Sequence, residues 1–162
     1  MSSQPSSGPT VARATRESIE RFVSGRTLAL VGASATRRSF GTAACVELKA
    51  RGYRVFTVHP AAAEIEGDRC WKSLADLPER VDRLLVSIKP DKAEAVVREA
   101  AVAGVRQIWF QQGSESADAV AACRQFAIET VCGECILMFA EPVASFHKFH
   151  RGLLRLFGRL PR

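Results

Sequence analysis

Leu28-Ala29-Leu30-Val31-Gly32-Ala33-Ser34, running on through Ala35-Thr36-Arg37-Arg38-Ser39-Phe40-Gly41, decides the fold. Four consecutive apolar residues read as a strand buried on both faces, as in a parallel sheet. Gly32 and Ser34 are small residues where that strand stops, and Arg37 and Arg38 occupy the turn. Ser39 reads as an N-cap, and Gly41 opens the next helical pattern. A strand that feeds a small-residue turn and then a helix N-terminus presents backbone N–H groups and a helix dipole to an anion. Two arginines in the same turn add charge-assisted contacts. Taken alone, such a turn also fits an ordinary strand-to-helix connection with solvated arginines.

Outward from this stretch the pattern alternates. A helix is expected over 41–51, with Ala44, Cys45 and Leu48 at helical spacing and Gly52 as its stop. Residues 53–58 predict a second strand, ending at His59-Pro60. Residues 61–81 look irregular apart from a short helical piece at 73–77. Strands are expected at 84–88, 105–110 and 128–131, separated by helices at 91–103 and 115–126. A short amphipathic helix over 14–24 precedes them all, with Ile19, Phe22 and Val23 on one side. The class is therefore α/β, a doubly wound parallel sheet of about five strands in three layers, with an N-terminal helix and a C-terminal helical extension. Ligands of such sheets bind off the C-terminal ends of the strands. The turns that crowd that edge are 32–41, 59–61, 87–90 and 111–114.

A chain of 162 residues suits one domain with a real core. The expected organisation is a leader over 1–13, the domain over 14–140 and a basic amphipathic helix over 141–162. No apolar run approaches the ~20 residues of a membrane helix, and the first residues lack the apolar stretch of a signal peptide. Five scattered cysteines do not form a secreted disulfide framework. A cytoplasmic protein with reduced thiols is expected. The net charge of +6 is concentrated in residues 143–162, which hold five bases and no acid. The remainder is close to neutral, so no nucleic-acid-binding face is indicated.

What the turn lacks narrows the candidate ligands. The dinucleotide pattern G-x-G-x-x-G is absent, and the second strand ends in His59-Pro60 rather than in a carboxylate for a ribose. The Walker pattern G-x-x-x-x-G-K-[ST] is absent too. Several segments in combination resemble a known family: Val31-Gly32-Ala33-Ser34, Phe40-Gly41, Arg51-Gly52-Tyr53-Arg54-Val55, Val58-His59-Pro60, Ile65-Glu66-Gly67, Ser73-Leu74-Ala75-Asp76-Leu77-Pro78, Val81-Asp82 and Trp109-Phe110-Gln111. They resemble the small stand-alone CoA-binding proteins. The domain of that family is similar to the Rossmann-like CoA-binding domain of succinyl-CoA synthetase and of ADP-forming acyl-CoA synthetases, and the resemblance covers residues 25–140. It implies coenzyme A or acyl-CoA at the strand ends. Gly32, Ala33, Ser34, Arg38, Phe40 and Gly41 would border the pyrophosphate. Val58, His59 and Pro60 would line the adenosine side, and Ser87, Ile88 and Lys89 would flank the remainder. The family usually carries Asn where this chain has His59. Independently, Arg37, Arg38 and Lys89 supply positive charge for the phosphates of CoA. The further domains of the synthetases have no counterpart here, so no ligase activity is carried over.

The sequence admits other chemistry. Cys132, Cys135, His147 and His150 come close to zinc-finger spacing, with the His-His gap one short. Cys135, beyond the last strand, could form a mixed disulfide with the thiol of CoA or be a small inert core residue. Residues 143–160 place Phe146, Phe149, Leu153, Leu156, Phe157 and Leu160 opposite Lys148, Arg151, Arg155 and Arg159. That pattern fits a helix docked on its own domain or across a homodimer, ahead of one lying on a membrane surface. No acid/base pair or nucleophile constellation stands out. The reading is a CoA- or acyl-CoA-binding protein without catalysis, a sensor or carrier. The alternatives are an enzyme using CoA-thioester or nicotinamide chemistry, and an interaction module acting through the basic C-terminal helix.

Overall fold

In the computed structural model, which describes residues 14–36 and 38–141, the apolar run becomes β1 (Thr27–Val31), the middle strand of the sheet. β2 (Arg54–Val58) pairs with it in parallel on one side and β5 (Arg83–Val86) on the other. β6 (Gln107–Phe110) and β7 (Glu129–Val131) extend the sheet beyond β5, also in parallel. The class expected from the sequence is the one observed.

The strand count differs. The stretch 61–81, expected to be irregular, contains β3 (Glu64–Ile65) and β4 (Asp68–Trp71). β4 joins β2 in parallel, and β3 folds back on β4 as a two-residue antiparallel edge. The sheet therefore has seven strands in the order β3-β4-β2-β1-β5-β6-β7. These two strands are too short to show a period: β4 is held by β2 and β3 by β4, rather than by local propensity. The expected short helical piece is present as a 3-10 turn at Leu74–Asp76.

Side chains alternate across the strands and fill two cores. Leu28, Leu30, Leu85 and Trp109 pack on the face covered by α1 (Arg16–Ser24) and α2 (Phe40–Ala50). Ala29, Leu84, Val86, Ile108 and Phe110 pack on the opposite face, under α3 (Ala93–Ala103) and α4 (Ala117–Gln125). α1 carries a capping box at Thr15 and Ser18 and buries Ile19 and Phe22, as its apolar spacing requires. Phe22 meets the fully buried Trp109 edge-on, with ring centroids 5.4 Å apart. Trp109 also donates its Nε1–H to the carbonyl of Glu134 at 3.0 Å, so its polar atom is satisfied.

A buried guanidinium anchors the end of the described chain. Arg51 directly succeeds α2 and its side chain is 4% exposed. It donates to the carbonyls of Leu137 (2.7 Å) and Ala140 (2.8 Å) and pairs with Glu47 at 2.9 Å. All three partners are needed to offset the cost of burying the charge. Arg51→Met should therefore lower stability by about 3 kcal/mol or more, because two buried carbonyls and Glu47 lose their donor. Arg51→Lys should recover little of it, since a single ammonium cannot reproduce the fork. Chemical denaturation of the two variants measures both.

Candidate functional site: the turn between β1 and α2

β1 ends in a corner built from backbone alone. Gly32 has φ +115°, and a Cβ there would lie 2.0 Å from the carbonyl oxygen of Ser87 and 3.1 Å from Ile88 Cγ2. A Cβ on Gly41 would lie 2.4 Å from the Gly32 oxygen and 2.8 Å from the nitrogen of Ala33. Glycine is required at both positions so that β1, the start of α2 and the segment after β5 can touch. β5 ends beside this contact at Val86, two residues earlier than the sequence suggests. The amide of Ser87 still donates to the Val31 carbonyl at 2.9 Å.

Two hydroxyl side chains, those of Ser39 and Thr42, lock the turn. Ser39 is the N-cap of α2, and its Oγ accepts from the Thr42 amide at 3.1 Å. Thr42 Oγ1 accepts from the Ser34 amide at 2.9 Å and donates to the Ser34 carbonyl at 3.1 Å. Ser39 and Thr42 hydroxyls also meet at 2.9 Å. With the Thr42 amide capped, the amides of Phe40 and Gly41 are the first-turn donors that α2 offers at the sheet edge. Thr42 is absent from the site expected on sequence grounds, although a hydroxyl three residues after an N-cap serine is a readable signal.

A cleft of about 570 Å³ opens over this turn. Ser34, Thr36 and Arg38 form one wall, and Ala43 and Val46 of α2 another. Val46 is half exposed, at 50%. Glu66 closes the far side from the β3–β4 hairpin, where it holds a left-handed φ of 53°. The end of β2 carries no carboxylate, but the hairpin absent from the sequence expectation brings one from elsewhere. Among the described residues, no carboxylate lies within salt-bridge range of Arg38 or Lys89.

The expected site residues separate into three groups. Gly32, Ala33, Ser34, Arg38 and Gly41 gather at the turn, with Ser87 and Ile88 against its back. Phe40 packs on the α1/α2 core and Val58 is buried in the α3/α4 core, so their side chains serve packing. His59, Pro60 and Lys89 sit at the same sheet edge beyond the strand ends and do not line the cleft. Arg37 lies outside the described residues.

His59 has a definite job. Its Nδ1 accepts from the amides of Ala61 (3.2 Å) and Ala62 (2.8 Å). An asparagine side chain does the same in an Asx-turn. The ring thus stands in for the Asn expected from the family resemblance, and holds the turn after β2.

The cysteines are all free and buried. Cys132 belongs to the α3/α4 core and Cys135 to the α1/α2 core, so the sheet separates the two thiols. Burial pushes Cys123 and Cys132 up to about 12, and raises Cys135 above its ordinary value. Buried thiols of this kind are poor nucleophiles at neutral pH. Among the described residues, no group of three or more His, Cys, Asp or Glu side chains is placed to hold a metal. His147 and His150 lie outside them.

The family model for a CoA binding domain matches residues 26–141. The chain belongs to that family. A conserved hypothetical protein from Pyrococcus furiosus is 35% identical, with 68% of this chain and 96% of that one covered and a TM-score of 0.64. A Thermus thermophilus protein is 26% identical over 75% of this chain and 93% of its own, with a TM-score of 0.68. The dinucleotide-forming acetyl-coenzyme A synthetase 1 of Ca. Korarchaeum cryptofilum shares the fold at 24% identity and a TM-score of 0.61. There 69% of this chain corresponds to 26% of the synthetase.

Two outcomes test the corner and the histidine. Gly41→Ala and Gly32→Ala should each cost at least about 3 kcal/mol, because the atoms in the way are backbone and cannot yield; thermal melts of the two variants read this. His59→Ala should cost about 1 kcal/mol, the worth of a lost hydrogen-bond acceptor, while His59→Asn should melt close to the parent.

Proposed function

We propose that this domain binds coenzyme A or an acyl-CoA with its diphosphate on the β1–α2 turn, and does so without catalysis, as a sensor or carrier. The observation that carries the reading is the glycine corner: two positions that admit no side chain bring the first-turn amides of α2 to the sheet edge. Membership of the CoA-binding family supports the ligand class. Arg38 on the cleft wall offers charge for the diphosphate. Ser34 and the Ala33 backbone border the same anion, while Pro60, Ser87, Ile88 and Lys89 flank the rest of the molecule along the strand ends. Val46 and Ala43 give the cleft an apolar side against which part of the ligand packs. His59 is committed to its turn through Nδ1, which leaves it a supporting rather than a reacting group.

CoA should raise the melting temperature, by about 2.7 kcal/mol of added stability at a hundredfold excess over Kd. Arg38→Gln should weaken CoA binding about tenfold or more. NAD is the discriminating control because of Glu66. If a nicotinamide dinucleotide were the ligand, Glu66 would accept from ribose hydroxyls and Glu66→Gln would weaken it. With CoA, Glu66→Gln should leave binding unchanged or tighten it, since a negative charge near phosphates is removed. Calorimetry that shows no heat with CoA, or loss of NAD binding in Glu66→Gln, overturns the proposal. Acyl-CoA thioesters should remain intact on incubation with the protein.

A further inference from the structure

Two of the buried thiols in the α1/α2 core adjoin one residue, Thr57 of β2. Cys45, on α2, is 6% exposed, and Cys70, on β4, is 7% exposed. Thr57 Oγ1 lies 3.3 Å from Cys45 Sγ. Thr57 is also the register partner of Cys70 where β2 and β4 run in parallel. Register partners on adjacent strands stand about 5 Å apart and point to one face. A second contact repeats the first one helical turn on, where Lys49 of α2 pairs with Asp68 of β4. Cys45 and Lys49 are about 6 Å apart along the helix, and Asp68 and Cys70 about 6.6 Å apart along the strand. α2, the crossover between β1 and β2, runs against β4. With Lys49 on Asp68, the step back along α2 to Cys45 is therefore the step forward along β4 to Cys70. Burial pushes the Cys70 thiol up, and the neighbouring Cys45 sulfur pushes the same way.

We propose that Cys45 and Cys70 form a reversible disulfide that fastens the β3–β4 hairpin to α2. β3 is a two-residue edge paired with β4, and β4 meets β2 over two register pairs. So short a ladder opens locally far more readily than the centre of the sheet, and its opening brings Cys70 to solvent. The Cys70 thiolate then attacks a small disulfide, RS–SR; that S–S bond breaks, RS⁻ leaves, and Cys70 carries the mixed disulfide. On reclosure the Cys45 thiol gives up its proton and attacks the Cys70 sulfur, expelling the second RS⁻. Two protein thiols are oxidised, one RS–SR is reduced, and the two protons leave with two RSH. Ala43 and Val46 of α2 form one wall of the cleft at the end of β1, and Glu66 of the hairpin closes its far side. The bond ties these two walls together, whatever the cleft holds.

Oxidised glutathione is the probe. After incubation of the folded full chain with it, alkylation and digestion without reductant, mass spectrometry should find one linked peptide pair, joining Cys45 to Cys70. Dithiothreitol should reverse the link. Cys123, in the other core, should remain a thiol throughout, which checks the fold. Cys45→Ser should stop at a mixed disulfide of Cys70 with glutathione, and Cys70→Ser should leave Cys45 unmodified. The oxidised parent should melt about 5 °C or more above the reduced one, since the link closes a loop of the unfolded chain. The Cys70 amide, which donates to the Ala63 carbonyl in the hairpin, should exchange with deuterium several-fold more slowly. The proposal is overturned if both cysteines stay reduced in the native parent, if the Cys70 adduct accumulates without closing, or if the pair links only in denaturant. An oxidised form that melts below the reduced one, or whose hairpin exchanges no more slowly, overturns it as well, because the packed fold then does not hold the two thiols within bonding reach.

Discussion

Backbone pressed on backbone at the end of β1 is the constraint from which the rest of the molecule takes its geometry. Gly32 lies against the Ser87 carbonyl, and Gly41 lies against Gly32, so one strand, one helix start and a neighbouring strand end share a single point. The closest atoms in that contact are backbone, so no rotamer change can relax it. The direction of α2, and with it the aim of the helix dipole, is set by this contact and by the Ser34, Ser39 and Thr42 hydrogen bonds. The opposite end of α2 is fixed as firmly by Arg51. A helix tied at both ends holds its first turn, and the dipole behind it, in one fixed direction.

This arrangement explains how a small domain can share the architecture of a quarter of a large synthetase and still close its own core. The sheet needs only its two helical layers to bury Trp109, Phe22, Ile108 and Phe110. The edge at the C-terminal ends of the strands is assembled from loops that hang on those layers. At His59 an imidazole nitrogen supplies the acceptor that a carboxamide oxygen supplies in an Asx-turn.

The central sheet is legible in the sequence because each long strand is a run of apolar residues with a clear stop, and because α1, α3 and α4 keep an apolar stripe. Ser39 as a cap and Gly32 as the turn residue are legible for the same local reasons. β3 and β4 are not, since two and four residues flanked by charges have no period; β4 is held by β2, and β3 by β4. Glu66, carried on their hairpin, is hidden as a cleft residue with them. Arg51 is invisible in another way. Its two carbonyl partners are 86 and 89 residues distant in sequence, and no local pattern announces a contact with backbone. Phe40 and Val58 sit beside the site in sequence yet point into the cores.

The five free thiols have a consequence of their own. Cys45, Cys70, Cys123, Cys132 and Cys135 are distributed over α2, β4, α4 and the loop after β7, on both sides of the sheet. None can be alkylated until its own patch of core opens. The chain therefore carries a set of native reporters, each timing the breathing of a different region, with no label to be introduced.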